Sequence, residues 1–200
     1  MTDHTALFTH GVRLISEALL DIVASANLQV NPSSISRTLY RRCRGRFRQL
    51  AVILRRMIWL MALGLPSPPP ESSRSRLSAP PEGAEDVTAS FGPRLRRFCF
   101  APSDVAPPPE DLARRTGGPP APSVRGLIET WAALHRVLTD PEAHARRLAR
   151  SIARQRRAGR PRPFVFAQAG RHRLRPELGV IAALLPELLN AEFAGWYDPG

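Results

Sequence analysis

ISRTLYRRCRGRFRQLAVILRRMIWLMALGL, residues 35–65, is the longest stretch of this chain that reads as one helix, and it holds the densest positive charge. Steps of three and four from Tyr40 pick out Cys43, Phe47, Leu50, Leu54, Met57 and Met61. That is the spacing by which a helix lays one apolar seam against its neighbours. Ile53, Ile58, Trp59 and Leu60 widen the seam toward the C-terminal end. The ends agree with the periodicity. Asn31-Pro32-Ser33-Ser34 makes a turn, with Ser34 or Ser36 as the N-cap. Gly64 then offers a left-handed cap and Pro66 a stop.

Arg37, Arg41, Arg42, Arg44, Arg46, Arg48, Arg55 and Arg56 all fall in this stretch, and no Asp or Glu occurs between Asp21 and Glu71. Like charges on one helix repel, so the arrangement costs stability unless something anionic offsets it. The first six of these arginines are therefore candidate contacts to an anionic partner. Arg55-Arg56 also interrupt the apolar run and leave nine uncharged residues from Met57 to Leu65, where a membrane span needs about 20. Lying flat on an anionic membrane surface, apolar face down, is an alternative use of the 35–65 helix.

Working outward, residues 5–27 carry Leu7, Phe8, Val12, Ile15, Ala18, Leu19, Ile22 and Val23 at helical spacing. Glu17 and Asp21 lie on the polar side and are the expected partners for arginines of the next helix. The loop over residues 27–34 lets the second helix fold back, giving a basic helical hairpin over residues 1–65. Residues 66–122 hold fourteen of the chain's 21 prolines. Few large apolar residues accompany them, so this connector is expected to be mostly disordered. Phe98 and Phe100, two residues apart, and the similar pair Phe164 and Phe166 suit one face of a strand. The two strings either form a small ladder or dock separately on the helices.

The C-terminal region, residues 123–200, reads as helical. Ser123 is placed to cap a helix bearing Leu127, Ile128, Trp131, Leu134 and Leu138. Thr139-Asp140-Pro141-Glu142 then supplies an N-cap, a proline at the first helical position and an acid in the first turn. Ala145, Leu148, Ala149, Ile152 and Ala153 form a narrow apolar face, and Gly159 ends that helix. A last helix opens at Pro176-Glu177. Pro186 is expected to kink or divide it, Gly195 to end it, and Trp196-Tyr197 to fold back as an anchor.

The formal net charge is +12, and all 29 basic residues are arginine. Such a surface suits phosphate or carboxylate partners, although a lysine-free composition also follows from a GC-rich coding sequence. Arg156-Arg157-Ala158-Gly159-Arg160-Pro161-Arg162-Pro163 resembles the AT-hook, whose Arg-Gly-Arg-Pro core enters the DNA minor groove. Ala158 stands where the first arginine of that core belongs. The same residues read as a helix stop followed by a basic loop, which is the reading favoured here. Arg156, Arg157, Arg160 and Arg162 join the candidate anion contacts.

No metal or cofactor set is expected: His4, His10, His135, His144 and His172 make no zinc-like spacing with Cys43 or Cys99. The cysteines read as small apolar residues, not as a disulfide framework. Without an early basic cluster or an apolar signal core, the expected compartment is the cytoplasm. No nucleophile elbow, phosphate loop or carboxylate pair is present, so the expectation is a non-enzymatic interaction protein whose arginine-rich helices bind an acidic protein or a nucleic acid. The expected architecture is all-α, with the hairpin and the C-terminal helices sharing one core, because a hairpin of this size buries too little surface alone. The other outlet for the Tyr40–Met61 seam is a homo-oligomer.

Overall fold

The computed structural model describes residues 4–66, 98, 124–167 and 174–197. Among them are five α-helices and no strand: α1 (Thr5–Ser25), α2 (Arg37–Gly64), α3 (Arg125–Thr139), α4 (Pro141–Arg157) and α5 (Pro176–Ala194). Apart from Pro66 and Phe98, the 66–122 connector lies outside the described residues, as do Ser123, Cys99 and Phe100.

The fold is organised by α2, which packs against each of the other four helices. Its 28 residues span about 42 Å at 1.5 Å per residue, and its two halves differ. In the first half only Cys43, Phe47 and Leu50 are buried, a single stripe. In the second half Ile53, Leu54, Met57, Ile58, Trp59, Leu60 and Ala62 are buried, and at 100° per residue those positions surround the helix. The second half of α2 is thus the centre of the protein. Arg55 and Arg56 leave it by specific routes. The Arg55 guanidinium lies 5.4 Å from the Phe98 ring centroid, and Arg56 Nη2 donates to the Phe166 carbonyl at 2.7 Å.

The hairpin and the C-terminal helices contribute to one core. Ile15, Leu19 and Ile22 of α1, Leu134 and Val137 of α3, Ile152 of α4, and Leu178, Leu185 and Phe193 of α5 join the α2 seam in it. Trp59 meets Phe193 edge to face at 5.6 Å between centroids, and Phe193 meets Trp196 likewise at 5.9 Å. The seam is spent inside the chain: Cys43, Phe47, Leu50, Leu54 and Met57 are all at most 2 % exposed. The middle of the Tyr40–Met61 seam is therefore covered by the chain's own helices, while Tyr40 and Met61 at its two ends are half-buried.

Local signals explain the helix ends. Ser36, not Ser34, caps α2, its Oγ accepting from the Leu39 N–H at 3.2 Å. The turn before it places Asn27 and Asn31 at φ 49°, a left-handed conformation that asparagine tolerates. Asp140 caps α4 by accepting from the Ala143 N–H at 2.9 Å, with Pro141 at the first helical position. At the other end of α4, Gly159 has φ 63°. Its N–H donates to the Arg156 carbonyl, and the Arg160 N–H donates back to the Gln155 carbonyl, the paired bonds of a Schellman cap.

Three expectations need correction. Gly64 is the last helical residue, and the backbone beyond it is extended at Leu65 (φ −78°), so no left-handed cap forms there. Pro186 does not divide α5: the helix runs through it, and the proline ring is buried. Glu17 and Asp21 do not pair with α2. Arg175, at the entry to α5, takes both, at 2.6 and 2.7 Å, so the nearest carboxylates tie α5 to α1.

Candidate anionic-partner interface

On α2 the arginines divide around the single buried stripe. Arg37, Arg41, Arg44 and Arg48 recur at steps of four, three and four, which places them along one face, and all four are exposed. Arg42 and Arg46, four apart, flank the stripe on its other side, Arg42 exposed and Arg46 half-buried. Among the described residues, Arg41, Arg42, Arg44, Arg46 and Arg48 have no carboxylate within ion-pairing distance; the ion pairs that do form engage Arg13, Arg125, Arg175 and His10. Burial pushes the Cys43 thiol above its ordinary range even though Arg46 and Arg42 pull the other way. It is a packed, protonated side chain rather than a nucleophile.

α4 packs directly on α2 and brings a second stripe. Arg146, Arg150, Arg154 and Arg157, at steps of four, four and three, are exposed together with Arg147, opposite the Ala145–Leu148–Ile152 face. None of Arg146, Arg147, Arg154 and Arg157 has a carboxylate within ion-pairing distance among the described residues. The sequence reading took only the end of this helix. The i, i+4 recurrence of arginine opposite a small-residue face was the signal that would have found the rest. The pair α2 and α4 thus carries eight arginines with no acid on one helix and six with a single glutamate on the other.

Arg156 has a different task. Its guanidinium lies 5.0 Å from the Trp196 ring centroid, a cation–π contact that fastens the end of α4 to the end of α5. Arg160 and Arg162 follow the Gly159 stop on an irregular run to residue 167, which is the helix stop and basic loop expected from the sequence. That run is fastened to α5 at three points. Trp196 Nε1 donates to the Arg160 carbonyl at 3.0 Å, and the Arg162 N–H donates to Tyr197 Oη at 3.0 Å. Asn190 grips Val165 on both sides, its Oδ1 accepting from the Val165 N–H and its Nδ2 donating to the Val165 carbonyl, each at 2.9 Å. Trp196 and Tyr197 are the anchor read from the sequence, but Asn190 was not foreseen. The main chain of Val165 is thus bonded to a side chain, while a ladder with the Phe98–Phe100 string falls on residues outside the described ones.

The surroundings of His144 disfavour its charged form. Burial lowers its pKa from the ordinary 6.5, Arg147 and Arg136 add to this, and Asp140 opposes. Among the described residues no three of His, Cys, Asp and Glu come together as a metal site, and no helix is long and apolar enough to cross a membrane. Compared with protein-family models, with curated proteins and with solved structures, the chain matches none of them.

Proposed function

We propose that this protein acts by binding, with the arginine stripes of α2 and α4 as the surface that takes an acidic protein or a nucleic acid. The observation that carries the reading is the placement of Arg41, Arg44 and Arg48 on one exposed face with no carboxylate beside them among the described residues. A protein that needed these charges only for solubility gains nothing from keeping its acids elsewhere, while a bound polyanion removes the self-repulsion of the helix. Lying on an anionic membrane through residues 35–65 is less well supported, because Ile53, Ile58, Trp59 and Leu60 are already covered by other helices.

Fluorescence anisotropy against labelled DNA, RNA and heparin tests the reading. If about five arginines from Arg37 to Arg48 meet phosphates of a duplex, log affinity falls with log salt at a slope near −4.5. Changing Arg37, Arg41, Arg44 and Arg48 together to glutamine reduces that slope by about 3.6. Binding that ignores both salt and the four substitutions refutes the assignment.

A further inference from the structure

We propose that the run from Arg160 to Phe166, with Tyr197 beside it, is a docking strip for single-stranded nucleic acid, its arginines holding phosphates and its rings stacking bases. The proposal rests on the acidic-partner reading above and selects the partner class.

Arg160, Arg162, Phe164 and Phe166 take every second position of this run, and the rings of the last two meet. All four are exposed, as is Pro161, while Pro163 and Val165 are half-buried and Val165 packs against the core. Phe164 is 51 % exposed, Phe166 64 % and Tyr197 68 %, and they are the only aromatic residues among the strongly exposed large apolar side chains of the described region. Their gathering on one short strip is hard to ascribe to incomplete burial: the rings belong to a segment whose backbone is held by Asn190, Tyr197, Trp196 and Arg56. Phe164 and Phe166 stand edge to face, 4.9 Å between centroids. The result is a rigid platform with its entropy cost met in advance.

The chemistry favours a single strand over other polyanions. An acidic peptide supplies carboxylates for the arginines but does not carry a ring on every unit, as a nucleic acid does. A duplex keeps its base faces stacked inside, whereas an unpaired strand offers both phosphates for guanidinium groups and free base faces for aromatic rings. A bilayer would reward a continuous apolar face set into the headgroup boundary, but here charge and rings follow one another in line. That order matches a linear polymer of phosphate and base.

The test is anisotropy of the full chain with labelled oligothymidylate, its duplex with oligoadenylate, and heparin, alongside flotation with phosphatidylserine vesicles. The wild type is expected to bind the single strand more tightly than the duplex. Phe164→Ala with Phe166→Ala weakens the single strand about tenfold or more without changing the salt slope or heparin binding. Phe164→Leu with Phe166→Leu, which keeps apolar area but removes the ring faces, gives the same loss. Arg160→Gln with Arg162→Gln reduces the single-strand slope by about 1.4. Thermal melting confirms that each variant is folded. The proposal is overturned if the aromatic variants bind oligothymidylate as the wild type does, or if the duplex binds at least as tightly. It is also overturned if the alanine pair abolishes flotation, the leucine pair restores it, and neither alters oligonucleotide binding, since the strip then serves a lipid surface. Undiminished heparin binding in any of these cases leaves the broader acidic-partner reading standing, whereas loss of binding to every polyanion removes both.

Discussion

Leu54→Ala is the substitution that bears most directly on the architecture. Leu54 is 0 % exposed at the middle of the helix that touches all the others. Truncating it removes the transfer energy of the lost carbons and leaves a cavity that four surrounding helices cannot all close, so the expected cost is about 2–5 kcal/mol. Against a total stability of about 5–15 kcal/mol, that is a large share. For a chain of this size each kcal/mol moves the melting temperature by about 2–4 °C, so a fall of about 4–20 °C is expected in a thermal scan followed by circular dichroism. Leu20→Ala is the control: Leu20 is 60 % exposed on α1, and its loss should cost no more than about 0.5 kcal/mol. Wild-type melting should also be independent of protein concentration, since the seam is closed within one chain. If Leu54→Ala behaves like Leu20→Ala, or if melting rises with concentration and the substitution removes that rise, the seam is not covered by the chain's own helices and the fold described here is wrong.

Asn190→Ala strips both partners from the Val165 main chain and should cost about 1–3 kcal/mol by chemical denaturation, and Asn190→Asp, which keeps the acceptor, should cost less. Gly159→Ala forces a side chain onto φ 63° and should cost about 1–2 kcal/mol, with Gly159→Asn milder. Asp140→Ala removes the α4 cap at a cost of about 1 kcal/mol, read from the same denaturation curves. His144 binds a proton less readily in the folded chain than its ordinary 6.5, so the unfolded state gains protons first as pH falls. Stability therefore declines as pH drops through 6.5 toward the lower folded value, and His144→Gln should flatten that part of the profile.

Features resting on local chemistry were legible in the sequence. The three-and-four spacing from Tyr40 gave the buried seam, Asp140-Pro141 the start of α4, Gly159 its end, and Trp196-Tyr197 the anchor. What escaped were choices made between distant residues. Glu17 and Asp21 lie nearest to α2 in sequence, yet Arg175, 158 and 154 residues away from them, takes both, because the packing of α1 with α5 brings that guanidinium within reach. Phe164 and Phe166 read as one face of a strand that forms a small ladder or docks on the helices. Their exposure follows from the bidentate hold of Asn190 on Val165, a partner 25 residues away. The all-round burial of α2 beyond Ile53 was half visible, since apolar residues there outnumber what one seam can hold. Pro186 was read by the general rule for helix interiors. The helix is not divided there because the buried proline ring recovers in packing part of what its missing hydrogen bond loses.

The division of α2 also bears on why its charges are where they are. From Ile53 onward the helix is held by apolar contact on every side, so a substitution there disturbs folding first and binding only as a consequence. From Arg37 to Leu50 one buried stripe, Cys43, Phe47 and Leu50, holds a half-helix that bears six arginines. Burial at about 1.5–3 kcal/mol for a large apolar side chain is enough to keep that half folded against repulsions of a few tenths of a kcal/mol per neighbouring pair. The first half of α2 is therefore stable without a partner but gains from one. Under the proposed function that asymmetry would separate recognition from folding within a single helix: exchanging Arg41, Arg44 and Arg48 for neutral residues should weaken anion binding while leaving the protein as stable as before or slightly more so.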